Sequence, residues 1–545
     1  MTRELSDAFY RDRLTMRPFM ATEDGIPGYD HLVPDLSVEG ARAFERRLRD
    51  LAERAAAGPG GDGPDGDGPD DNGPDAVTRR VLLSAIEREL EVLAIGAVEY
   101  TVSVIAAEGA SAALTMGSRT RPRTHADADA YLARCAELPR YLDAHVARLR
   151  AGADAGRTPV ASLVRVAVGQ VDRYLAGQGR DVLADIPLPE GWPGADRLKR
   201  LIADEVRPAL ARWRDAVASL PARADDECGL PYLPGGPDAY ERLVRVHTTL
   251  DLTAAEIHDL GLAQVAELTD RMTSLGEQLG LRGLPEVMRA FIASASGGAA
   301  EAMERAREVI RRAEAVTAEL FPAPTPPPCE VAPMAEHLGE TGHAPHYTPP
   351  RLDGGGAGVF WFNAQHPETG NGWGLEALAF HEAVPGHHLQ LSRAQLLDHL
   401  PDLQRHGFVN AHGEGWGLYA ELLAEEAGLY SGAEARLGAL VLRLFRAARL
   451  VVDTGMHALG WPRSRATAWL TTTVPLPAAF ADAEIARYIA DPAQALSYAV
   501  GMHEILRLRD RFPGTLRDFH AAVLDNGSVP LPVLADIVQS TQVRN

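Results

Sequence analysis

Within eight residues, His381-Glu382-Ala383-Val384-Pro385-Gly386-His387-His388, the chain gathers three imidazoles and one carboxylate. Neutral imidazoles hold a cation such as Zn²⁺, and a glutamate beside the first of them can take a proton from water activated at the metal. The spacing is not H-E-x-x-H, because Pro385 stands where the second histidine would fall. His381 is read as the first ligand and Glu382 as the general base. Both sit at the end of an apolar helical run through Leu375, Ala377, Leu378, Ala379 and Phe380. Proline has no N–H for the carbonyl of His381 and its ring clashes there, so the helix is expected to kink or bulge. In an ideal helix His388 would return to the face of His381 about 10 Å further along the axis. A bulge absorbing two residues would instead bring His387 to the i+4 place. His387 is therefore the preferred second ligand and His388 the alternative, with the one not used left to a supporting or substrate-facing place.

A hydrolytic site needs a third ligand from another element and one open coordination position. His412-Gly413-Glu414-Gly415-Trp416-Gly417-Leu418-Tyr419-Ala420-Glu421 offers it. Glycines on both sides of Glu414 permit close backbone approach, and the apolar residues that follow predict a buried helix in which a carboxylate needs a partner. Glu414 is the preferred third ligand, with Glu421 and His412 as alternatives. Further along, Arg449, Asp453 and His457 are spaced by four and stack along one helix face. They read either as a surface ion-pair ladder or as a functional set, in which His457 donates to the transition state or contacts substrate and Asp453 orients it. Tyr498 reads as a hydroxyl donor to a developing oxyanion, or as a buried aromatic. Val359 to Asn363 reads as a strand, either in the core or at an edge where it would bind an extended peptide, with Asn363 as the substrate contact.

The elements that must position these residues are mostly helices. Leu437, Leu440, Val441, Leu444, Phe445 and Ala448 follow helical spacing, and Thr253 to Glu256 reads as a capping box opening a helix of roughly 20 residues. Alternating runs are scarce, so the expected fold is mainly α with a small sheet. Residues 58–75 are almost entirely Gly, Pro and Asp, a composition for a disordered linker rather than a calcium loop. A second breaker, Pro322 to Pro333, separates a helical part, 1–330, from a part at 331–545 that carries the chemistry; the two are expected to form one two-lobed unit.

The 54 basic and 75 acidic residues give a net charge of −21. Such a surface repels phosphate backbones and anionic bilayers, which disfavours nucleic acid and membrane as partners. No apolar run approaches the roughly 18 residues of a membrane span, and the first residues lack the apolar core of a signal peptide. Cys135, Cys228 and Cys329 are scattered and odd in number, so a reducing cytoplasm is the expected compartment. There is no G-x-S-x-G elbow and no phosphate-binding G-x-x-x-x-G-K-[ST] loop.

The run Leu375 to Gln390, the segment Glu414 to Glu421, Arg449 to His457, and Arg487-Tyr488 with Pro492 to Tyr498 together resemble the signature of the bacterial domain of unknown function 885 family. Tyr240 to Gly261 also fits, so the likeness runs nearly the whole length. More distantly the arrangement is similar to the helical gluzincin peptidases, such as the carboxypeptidase Taq and thimet oligopeptidase families. That resemblance implies a mostly α fold with a deep cleft between two lobes, a second zinc histidine after a glycine (here His387), and a downstream glutamate ligand (here Glu414). The chain departs from the family pattern at Ala493, where a glycine is usual, and at Ala499, where a lysine is usual.

The expected function is a Zn²⁺-dependent hydrolase of amide bonds, a peptidase acting on short peptides, with zinc on His381, His387 and Glu414 and Glu382 as base. The departures leave room for a second reading, an enzyme of specialised metabolism that cleaves or forms an amide in one small molecule. A third reading, a catalytically silent binding protein, gives Glu382 no purpose.

Overall fold

Alanine- and leucine-rich segments wind into helices over most of the chain in the computed structural model, which describes residues 1–57, 73–105, 108–178, 180–334, 344–366 and 370–544. Six helices frame the candidate site: α1 (Ala254–Gln278), α2 (Leu375–Glu382), α3 (His387–Gln395), α4 (Asn410–Glu426), α5 (Ala433–His457) and α6 (Ser497–Arg511). The capping box expected at Thr253 is present in both directions: the Thr253 hydroxyl accepts from the Glu256 N–H and the Glu256 carboxylate from the Thr253 N–H. It opens α1, which runs for 25 residues. The apolar stripe at 437–448 lies within α5, whose residues from Leu437 to His457 are nearly all buried. The stretch read as a linker lies outside the described residues as far as 72; the next helix opens at Pro74, at a position where proline's missing N–H costs nothing.

The sheet has three strands: β1 (Glu330–Pro333), β2 (His346–Thr348) and β3 (Val359–Phe362). Its order is β1-β3-β2. β3 pairs parallel with β1, Val331 against Phe360, and antiparallel with β2, Tyr347 against Phe360. The edge-strand alternative for Val359 to Asn363 is thereby corrected: β3 is central, and its main-chain groups are engaged on both sides. Period-two alternation turns Phe360 and Phe362 into the core, where they join Ala379, Phe380, Ala383 and Val384 of the histidine-bearing segment. The sheet is thus the floor on which α2 rests.

The breaker at 322–333 divides the chain without dividing the packing. One apolar core joins Phe9, Leu48 and Leu82 to Trp416, Tyr419, Ile505 and Leu534. Another joins Ile95, Tyr240 and Ile257 to Leu450 and Val500. A further core, built on Phe19, Val33 and the helices from Ala110 to Val217, draws its buried residues from before the breaker alone.

Where α4 crosses α6 there is no room for side chains. A Cβ on Gly501 would overlap the carbonyl oxygen of Ala411 and stand 2.8 Å from the Cα of Gly415. This crossing fixes the height of Glu414, one residue from the contact. Gly501→Ala is therefore expected to cost about 1–3 kcal/mol through overpacking, read as a lowered midpoint in chemical denaturation. An unchanged midpoint would show that the crossing yields without cost.

Candidate metal centre

The helix that carries His381 stops rather than bulges. α2 ends at Glu382 and α3 starts afresh at His387, which corrects the expectation of one kinked helix. Pro385 offers no N–H to the turn before it. Gly386 lies so tightly under the carbonyls of Phe380 and His381 that any Cβ there would overlap them. The groups freed by the break find partners. The N–H of His388 reaches the carbonyl of Ala383 at 3.1 Å, and the Trp416 indole N–H donates to the carbonyl of Pro385 at 2.9 Å. Trp416 is two residues from Glu414, so the same helix that presents the carboxylate also pins the break.

Because α3 starts in a new direction, the ring of His387 comes edge-on to that of His381, with centroids 4.8 Å apart and planes at 87°. Glu414 comes up from α4 beneath both. Its Oε2 is 3.4 Å from His387 Nε2 and 3.7 Å from His381 Nε2. The three donor atoms lie within 4.8 Å of one another. Two ligand atoms held at zinc bond lengths in a tetrahedron stand about 3.3–3.5 Å apart. The two carboxylate–imidazole separations lie close to that spacing, and the donor types suit a divalent cation: two imidazole nitrogens and one carboxylate oxygen, all drawn largely out of water.

The electrostatics agree. Burial disfavours the imidazolium, yet contact with Glu414 and Glu421 and the charge of Glu382 outweigh it and push the pKa of His381 up to about 9. Burial likewise disfavours the Glu414 carboxylate, but His381 and His387 hold it well below the usual carboxylate range. The pocket thus favours positive charge beside Glu414, which protons on the imidazoles supply and a bound metal would supply in their stead.

His381 is held from two sides. Glu421, fully buried, accepts from its Nδ1 at 2.9 Å, which leaves Nε2, facing Glu414, as the nitrogen that would offer a lone pair once its proton gives way to a metal. This is how carboxylates set the tautomer of metal-ligating histidines. The flat of the ring lies on Gly417, where a Cβ would come within 2.6 Å of Cε1. Glu421 therefore stands behind a ligand-type histidine rather than in the cluster. Tyr498 stacks on His381, with centroids 6.4 Å apart and planes at 18°. Burial and then the negative charge of Glu414 raise its pKa, so its hydroxyl keeps its proton.

Other candidates are placed elsewhere. His388 is buried with both ring nitrogens in use, Nε2 on the carbonyl of Pro327 at 2.7 Å and Nδ1 on the Tyr347 hydroxyl at 3.0 Å. It ties α3 to β2 and to the proline-rich segment, and it lies outside the donor cluster. His412 is buried two residues before Glu414 and is kept neutral by burial, its pKa pushed down to about 4. Asn363 is fully buried, and its side-chain oxygen accepts from the N–H groups of Gln365 and His366, both at 3.0 Å. It shapes the turn after β3. That use takes it away from the substrate-contact role.

The row Arg449, Asp453, His457 is not a surface ladder, since all three are buried. His457 accepts from the N–H of Leu230 at 3.3 Å and donates to the carbonyl of Tyr488 at 3.0 Å. With both nitrogens spent on backbone it has no proton to give a substrate, which corrects its reading as a transition-state donor. Asp453 accepts from the Tyr240 hydroxyl at 2.6 Å and from the Ala493 N–H at 3.0 Å, so it anchors the 491–497 turn instead of orienting His457. Arg449 binds Glu484 at 3.0 Å and the Tyr488 hydroxyl at 3.1 Å, and its guanidinium lies over the ring of Tyr498 at 4.5 Å. Sequence reasoning did not single out Tyr347, Tyr240 or Glu484, whose bonds to His388, Asp453 and Arg449 span 35 or more residues and leave no local signal.

A family model described as a bacterial protein of unknown function, DUF885, matches residues 18–538. No curated protein matches the sequence. Among solved structures, a "putative lipoprotein" from Colwellia psychrerythraea superposes with a TM-score of 0.88 at 24% identity, over 100% of this chain and 99% of that one. A second protein of that description and of unknown function, from Shewanella oneidensis, has a TM-score of 0.75 at 16% identity, over 99% of this chain and 100% of the other. At these identities the likeness is one of fold. It also corrects the expected cytoplasmic location: lipoproteins are exported or membrane-anchored, and three unpaired thiols, two of them buried, do not place a chain in the cytoplasm.

Ala493, the departure noted in the sequence, adopts φ +70°. This is the left-handed region, which costs an L-residue roughly 1–2 kcal/mol and glycine little. Ala493→Gly relieves that strain while adding a smaller unfolded-state entropy cost. The variant is expected to be more stable by up to about 1 kcal/mol, seen as a higher denaturant midpoint. A lower midpoint would mean that the Asp453 anchor needs the side chain.

Proposed function

The chain belongs to the bacterial DUF885 family, and we propose that it is a zinc-dependent hydrolase of amide bonds, acting on short peptides. The observation that carries this reading is the convergence of His381, His387 and Glu414, from three helices, to within 4.8 Å, with Glu382 adjoining the first of them. Likeness of the donor set to the helical gluzincin peptidases supports it. His381 and His387 would hold the metal through Nε2 and Glu414 through a carboxylate oxygen. A zinc ion bound there supplies Lewis acidity toward a carbonyl oxygen and makes a nearby water more acidic.

The rest of the chemistry belongs to the chain. Glu382 is largely buried at the C-terminal end of α2, beside the ligands and away from bulk water. It takes a proton from the attacking water as the C–O bond forms, and returns that proton to the amide nitrogen as the C–N bond breaks. Glu421 keeps His381 in the tautomer that offers Nε2. Tyr498, still protonated beside Glu414, donates its hydroxyl to the carbonyl oxygen as negative charge develops there.

Glu382→Gln is expected to keep wild-type metal content and lose at least about 100-fold in turnover of a mixed short-peptide library. Wild-type turnover would remove Glu382 from the base role. Glu414→Ala is expected to lower bound zinc well below one per chain by elemental analysis. Full retention would assign the ion to another site. The same donor types also suit non-haem iron, so iron in place of zinc in protein purified from metal-replete growth would contradict the proposal.

A further inference from the structure

Helix α5 presents arginines at 443, 446 and 449, three residues apart and all largely buried. Burying a guanidinium demands an anion or a full set of acceptors. Arg443 has the carboxylate of Glu425. Arg449 has Glu484 and the Tyr488 hydroxyl, but its Nη1 has no partner. Arg446 has no carboxylate within ion-pair distance among the described residues. Its one hydrogen bond among the described residues is a long 3.4 Å contact from Nη1 to the carbonyl of Leu442 in its own helix, and its guanidinium lies 5.5 Å from the centre of the Phe445 ring. Its Nε is buried and unpartnered, although the residue is only 7% exposed.

Arg449 adjoins the metal cluster through Tyr498, with Arg446 about one turn before it on α5. The guanidinium of Arg449 lies 4.5 Å from the centre of the Tyr498 ring, whose other relation is the parallel stack on His381 at 6.4 Å. Arg446, Arg449 and Arg487 all bear electrostatically on Tyr498. Among these three cations one carboxylate, Glu484, is shared by Arg449 and Arg487. What this wall lacks is a second carboxylate, and an Arg pair offers it paired, charge-assisted hydrogen bonds.

We propose that Arg446 and Arg449 form a carboxylate-binding subsite beside Tyr498, which makes the substrate an amide with a free carboxylate one or two residues from the scissile bond. The assignment of that carboxylate to a substrate rests on the hydrolase reading of the cluster. The span follows from one intervening aromatic ring and about 3.5 Å per residue of extended chain.

Calorimetric binding to full-length Glu382→Gln protein tests it without requiring turnover. N-acetyl-alanine is expected to bind at least about tenfold tighter than N-acetyl-alaninamide, as loss of a charge-assisted pair implies. The preference should collapse in the Arg446→Met background, with metal content and melting temperature as checks on folding. N-acetyl-aspartate α-amide distinguishes a side-chain carboxylate from a chain terminus. Equal affinity for acid and amide, or a preference that survives Arg446→Met, overturns the subsite. If Arg446→Met does not fold, the acid-against-amide comparison in the parent protein decides alone. An intact preference in a protein that hydrolyses no peptide would retain the subsite and reject the hydrolase.

Discussion

Two histidines from successive helices meet one largely buried carboxylate because the chain cannot carry its helix through Pro385. Had the helix continued, His387 would have turned off the face of His381 and His388 would have stood about 10 Å further along the axis. The break restarts it in a direction that sets the ring of His387 against that of His381. Glu414 then finds two nitrogens at cation-sharing distance, which satisfy a charge drawn largely out of water.

Much of the frame serves that meeting. The sheet carries α2 on Phe360 and Phe362, Trp416 holds the carbonyl of Pro385, and the glycine contact between α4 and α6 sets the depth of Glu414. Glu421 and Gly417 fix one ring in tautomer and in tilt. Each acts at a distance from the chemistry, and each would shift the donors if altered.

The helical character, the capping box at Thr253 and the stripe in α5 were legible in the sequence because they depend on neighbours three or four residues away. The convergence of His381, His387 and Glu414 was legible because histidine and glutamate around a Pro-Gly pair have few ordinary uses. The fates of His388 and His457 were not. Their nitrogens are consumed by Tyr347, Pro327, Leu230 and Tyr488, partners that only the fold brings near. The break itself was read as a bulge because periodicity reveals that a helix is disturbed, but not where the chain goes next. The strand at 359–362 was recognised, but its central place depends on β1 and β2, two short segments without a pattern of their own.

The central claim is that His381, His387 and Glu414 share one divalent cation, with His388 and His457 outside its reach. A crystal structure of the zinc-loaded protein, with anomalous data collected on both sides of the zinc absorption edge, tests it directly. The account predicts one strong peak within about 2.0–2.2 Å of His381 Nε2, His387 Nε2 and a Glu414 oxygen. A peak bound to His388 or His412, or no peak at this cluster, would contradict it.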